Sequence, residues 1–109
     1  MPGGVGIPGT GLGSGQLPAT KGTLYSTPGS FVEILSFVCF NTAATSETVK
    51  IYVNNLGVSR QIAIAVLAQN ESLLVVSEGE ALQVAPGDYI EGSTTNASSV
   101  DYYIGGSAT

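Results

Sequence analysis

The sequence contains no histidine and no tryptophan, a single cysteine and only three cations, Lys21, Lys50 and Arg60. Without histidine the commonest general base and metal ligand is missing. The lone Cys39 excludes an internal disulfide. It sits among Phe37, Val38 and Phe40 with no imidazole to activate it, so it reads as a buried structural thiol and not as a nucleophile. Three cations against eight carboxylates leave no basic patch, which argues against nucleic acid as a partner. No apolar run approaches the roughly 20 residues of a membrane-spanning helix. No basic segment followed by an apolar run opens the chain, so no signal peptide is expected, and the chain is read as soluble and made in the cytoplasm. Charge of either sign is scarce: charged residues make up 10% of the 109, where an ordinary soluble domain carries about a quarter. Such a composition suits a surface largely covered by neighbours, or a secreted or particle-bound protein.

What is present begins with "MPGGVGIPGTGLGSGQLPAT", twenty residues before the first charge at Lys21. Seven glycines lie from Gly3 to Gly15, and the stretch also holds Pro2, Pro8 and Pro18. Glycine lets a backbone lie close against another surface, and proline favours extended conformations. The absence of charge avoids a desolvation cost on burial. Residues 1–21 are therefore expected to form an extended docking arm, with Val5, Ile7, Leu12 and Leu17 dropping into apolar pockets of a partner. Residues 22–109 are expected to form the folded domain, too small to be more than marginally stable alone.

That domain reads as all-β: an antiparallel β-sandwich of about eight short strands, with a jelly-roll order as one topology open to it. No segment sustains a helical period. "FVEILSFVCF" (31–40) is rich in β-branched and aromatic residues and apolar on both faces. In a sandwich one face meets the core, so Phe31, Leu35 and Phe37 are candidates for contact with another subunit; the plainer reading is a strand covered by the chain's own loops or arm. "TVKIYVNN" (48–55) alternates, with Val49, Ile51 and Val53 inward. "NNLG" marks a tight turn. "RQIAIAVLA" (60–68) alternates again, placing Ile62, Ile64 and Val66 on one face and alanines on the other. The expected core comprises Ile34, Val49, Ile51, Ile62, Ile64, Ile90 and Ile104.

Motifs for chemistry fail on inspection. "GVGIPG" (4–9) matches the dinucleotide pattern GxGxxG, but no strand precedes it and only more glycine follows. Glu78, Glu80, Asp88 and Glu91 are too sparse for a calcium loop and read as a solvated rim. The sequons at Asn70 and Asn96 mean little without a secretory signal. The sequence thus predicts no catalytic residue, no cofactor and no metal, and a non-enzymatic binding or assembly role.

Four stretches after the arm carry a resemblance. "TLYSTP" (23–28) leads into a long apolar strand closing on "VCFNT" (38–42). The turn "LAQNE" (67–71) precedes a short apolar strand. "APGDYIEGSTTNASSVDYYIG" (85–105) closes the chain. Together they resemble small β-sandwich structural proteins of tailed bacteriophages, over roughly residues 22–106. The resemblance implies a virion protein, assembled in the host cytoplasm and located in the virion. The preferred form is a capsid decoration or cement protein that binds the major capsid protein lattice as a homo-oligomer, a trimer at a three-fold position. A neck, fibre or tail component, bound to another virion protein, is the alternative. A carbohydrate-binding module using Tyr52, Tyr89 and Tyr103 is a further one, although outward tyrosines also serve as ordinary sheet stabilisers.

Overall fold

A computed structural model describes residues 10–77 and 79–108. They form nine strands: β1 (Thr10–Gln16), β2 (Gly22–Ser26), β3 (Val32–Asn41), β4 (Glu47–Asn55), β5 (Val58–Leu67), β6 (Ser72–Val76), β7 (Leu82–Val84), β8 (Tyr89–Ser93) and β9 (Val100–Ala108). One sheet runs β1-β9-β3, and then β6 and β7 share the far side of β3; the other runs β2-β8-β4-β5. All pairs are antiparallel. The pairing is nested: first strand with last, second with the one before, β3 with β6 and β7, and β4 with β5. This is a long hairpin folded over into two layers, the order of a jelly roll. The all-β sandwich expected from the sequence is the observed fold. At 39 × 36 × 19 Å the molecule is two sheets thick, as layers about 10 Å apart require.

Between the sheets lie Ile34, Phe37, Val49, Ile51, Ile90 and Ile104, all fully buried. The connections follow local chemistry. Leu56 and Gly57 at the β4–β5 turn both have positive φ, 55° and 81°, the geometry of a two-residue type I′ hairpin. Asp88 holds that turn, accepting from Asn55 Nδ2 at 2.6 Å and from Leu56 N at 3.4 Å. At the opposite end of the sandwich, the buried Glu47 gathers a loop. It accepts from the Thr94 hydroxyl at 2.9 Å, from Asn96 N at 2.7 Å, from Asn96 Nδ2 at 2.8 Å and from the Thr45 hydroxyl at 3.3 Å.

Three expectations are corrected. The first concerns the arm. From Thr10 onward it belongs to the sandwich: β1 pairs with β9 from Thr10↔Gly106 to Gln16↔Asp101. Its glycines make room for tyrosines. A side chain on Gly11 would stand 2.8 Å from the Tyr103 hydroxyl, and one on Gly15 would stand 3.4 Å from the Tyr102 ring. Leu12 packs against the chain's own core. Leu17 is 1% exposed, and its amide donates to Val100 O at 2.9 Å. Neither leucine is left to dock on a partner, and the sandwich takes in Thr10–Gln16, ahead of the expected boundary at residue 22. Val5 and Ile7 lie outside the described residues.

The second correction concerns β3. The register with β9 slips between Ile34 and Ser36. One extra residue at a bulge switches which side chains face inward. Val32 and Ile34 are buried before the slip, and Phe37 and Cys39 after it. Phe37 is thus a core residue and not an interface residue. Leu35, at the slip, is half-buried, and Phe31 is exposed. The third correction concerns β5, whose Ile62 and Ile64 are not in the core. Ala63 and Ala65 pack toward the core, while Ile62 and Ile64 face outward.

Candidate functional site

The polar groups that chemistry could use are tied into the fold. Cys39 is buried, and desolvation pushes its thiol up to about 12. Glu47 is held below the ordinary carboxylate range chiefly by the Asn96 side chain, with the Asn96 amide and the Thr94 and Thr45 hydroxyls assisting against desolvation. Of the expected solvated acidic rim, Glu78 lies outside the described residues, Asp88 and Glu91 are instead buried, and the three described carboxylates are engaged by nearby donors. Glu91 accepts from the Ser59 hydroxyl at 2.7 Å, Glu80 from the Ser77 amide and hydroxyl at 3.2 and 2.8 Å, and Asp88 from the β4–β5 turn. Among the described residues no group of three such side chains converges on a metal position. Lys21 donates to the Ser59 hydroxyl at 2.9 Å and lies 4.9 Å from the centre of the Tyr52 ring.

Two apolar areas remain exposed. On β5, Ile62, Ile64 and Val66 are 43%, 55% and 67% exposed. They stand on one side of the edge strand of the β2-β8-β4-β5 sheet. Ile64 lies opposite Lys50 and Val66 opposite Thr48. At the hairpin tip Leu56 and Val58 are exposed as well. Ile62 also lines an open groove of about 400 Å³ with Val75, Val76 and Leu82, where the two sheets part. A second apolar area lies on the other sheet. Leu74 on β6 is 60% exposed opposite Val38, and Val38 is opposite Tyr103 on β9. Phe40, two residues along β3 from Val38, is exposed as well.

Of the sequence-predicted positions, the structure leaves Phe31 at the surface, half-buries Leu35 and takes Leu12, Leu17 and Phe37 into or against the core. The β5 face escaped the sequence reading because Ile and Ala alternate and both are apolar, so periodicity alone does not fix which set points inward. The small size of the alanines was the available signal, since small side chains let another layer approach closely. Tyr52 and Tyr89 lie on one sheet and Tyr103 on the other, so the three do not form one stacking platform.

Comparison with known proteins returned no match: no family model fits the chain, and neither a curated protein nor a solved structure is detectably similar to it.

Proposed function

We propose that this chain is a structural subunit that works by burying surface and not by bond chemistry, and that its place is in a virion, as a decoration or cement protein on the major capsid protein lattice. The observation that carries the reading is the pair of apolar areas left open on both sheets of a small domain with little charge. A monomer seldom exposes contiguous apolar surface of this kind without a partner for it. Repetition over a symmetric shell would turn a modest contact into a large total resistance to rupture. Support also comes from the sequence resemblance to small sandwich proteins of tailed phages. The jelly-roll order is shared by viral capsid proteins, lectin domains and cupins and is analogy only.

The test is co-purification with particles. Copies in numbers comparable to the shell protein, and particles that rupture at lower temperature when the chain is missing, are the expected results. A single ring's worth of copies would place the chain in a neck or tail. Absence from particles would overturn the virion reading.

A further inference from the structure

We propose that β5 is a pairing edge, and that its occupant is the β5 strand of a second copy of this chain, added antiparallel so that two β2-β8-β4-β5 sheets become one continuous sheet. The inference rests on the edge itself and stands whether or not the chain belongs to a virion.

Edge strands expose unpaired backbone donors and acceptors, and monomeric proteins guard them with lysine, proline, short length or inward-pointing charge. β5 has ten residues, about 34 Å of strand, and its one hydrogen-bonded neighbour among the described strands is β4. It contains no proline and no lysine, and its single charge, Arg60, lies toward the hairpin end. Besides Arg60, its protective feature among the described residues is the bulge at Ile62, the residue skipped between the pairs Ile51↔Ala63 and Tyr52↔Gln61.

The strand is also complementary to itself. A two-fold axis through Ile64 sets Ile64 against its own copy and Ile62 against Val66 of the other copy. Directly opposed residues in an antiparallel pair share a face, so all three exposed aliphatics of each chain join one apolar row across the axis. The two Arg60 side chains fall at opposite ends of that row. Charge favours the same choice. Each copy carries a net charge of −5, so two copies repel in general, but none of the eight carboxylates is on β5. Pairing of this kind is isologous and closes at two copies, in contrast to the trimer that a three-fold lattice position favours.

The experiment uses sedimentation of the full chain at micromolar concentration. The unaltered protein is expected to be a dimer. Ile64→Glu and Ile64→Lys each place like charges opposite one another at the axis and should weaken association more than about tenfold. Because Ile64 is half exposed, both variants should keep the wild-type circular dichroism; the glutamate faces Lys50 within its own sheet. An equimolar mixture of the two variants should restore the dimer, since opposite charges then meet at the axis. A monomeric wild type, aggregates without defined stoichiometry, or a dimer indifferent to both substitutions would overturn the proposal. So would folded variants whose mixture stays monomeric. Loss of association on Leu74→Glu alone would assign the interface to the other sheet. Loss on deleting residues 2–9 alone would make the N-terminal segment the occupant of the edge. Either result also overturns the proposal.

Discussion

Single residues in this sandwich are constrained mainly by close backbone approach and by buried polar atoms. At Gly106 a side chain would stand 2.0 Å from the Glu33 carbonyl oxygen, a backbone atom that no rotamer change can move. Gly106→Ala is therefore expected to cost about 3 kcal/mol or more, read as a lowered denaturant midpoint. Cys39 and Glu47 give opposite pH signatures. The Cys39 thiol is raised on folding from 9.0 to about 12, so the native state holds its proton longer than the unfolded chain does. Its contribution is complete below pH 9 and declines as pH climbs from there toward 12; alkylation of the native protein should be slow until it unfolds. Glu47 is lowered from 4.5, so its contribution is complete above that value and is lost as pH falls through the folded value. Glu47→Gln should remove that acid-side dependence from an unfolding series, because the uncharged amide has no proton to gain. The role of Glu47 was not legible in the sequence, where nothing marks Thr45, Thr94 and Asn96 as its partners. That Cys39 is structural was legible, from its setting among apolar strand residues.

At the scale of elements, strand positions followed from alternation and turn residues, and the faces of two strands did not. The bulge in β3 inverts the inward set halfway along, and nothing in "FVEILSFVCF" marks the residue at which that happens. The glycine-rich β1 was hidden for another reason. Its place in the sheet depends on tyrosines of β9 more than eighty residues away in sequence, a non-local cause that composition does not carry. Two truncations separate its strand from what precedes it. Removal of residues 2–9 should leave the sandwich folded, whereas removal of residues 2–18 takes away β1 and the buried Leu17 and should abolish cooperative unfolding; circular dichroism melts distinguish them. The β4–β5 turn offers a gain instead of a loss. Leu56 holds a left-handed conformation that costs an ordinary side chain about 1–2 kcal/mol and that asparagine tolerates. Leu56→Asn keeps the backbone amide that donates to Asp88 and should raise stability by about 0.5–1 kcal/mol.

The whole molecule is a set of nested pairs, and its behaviour follows from that order. β4 and β5 meet through a two-residue turn, whereas β1 and β9 meet only when the rest of the chain has been brought back on itself. Loops of that length close slowly, so folding is expected on the millisecond-to-second scale typical of non-local all-β topologies. Stopped-flow fluorescence of the tyrosines would measure it.

Because Thr10 lies opposite Gly106 in an antiparallel pair, the outermost strands lie side by side with their outer ends together. A tensile load applied there would act along the hydrogen bonds and break them one after another, as a zipper opens, instead of shearing them all at once. The sandwich should therefore be mechanically soft in that direction and stiffer when pulled along its strands. Handles at Thr10 and Ser107 in an optical trap should open the protein at a lower force than handles at Thr10 and Asp101, where the same strand pair is loaded along its length.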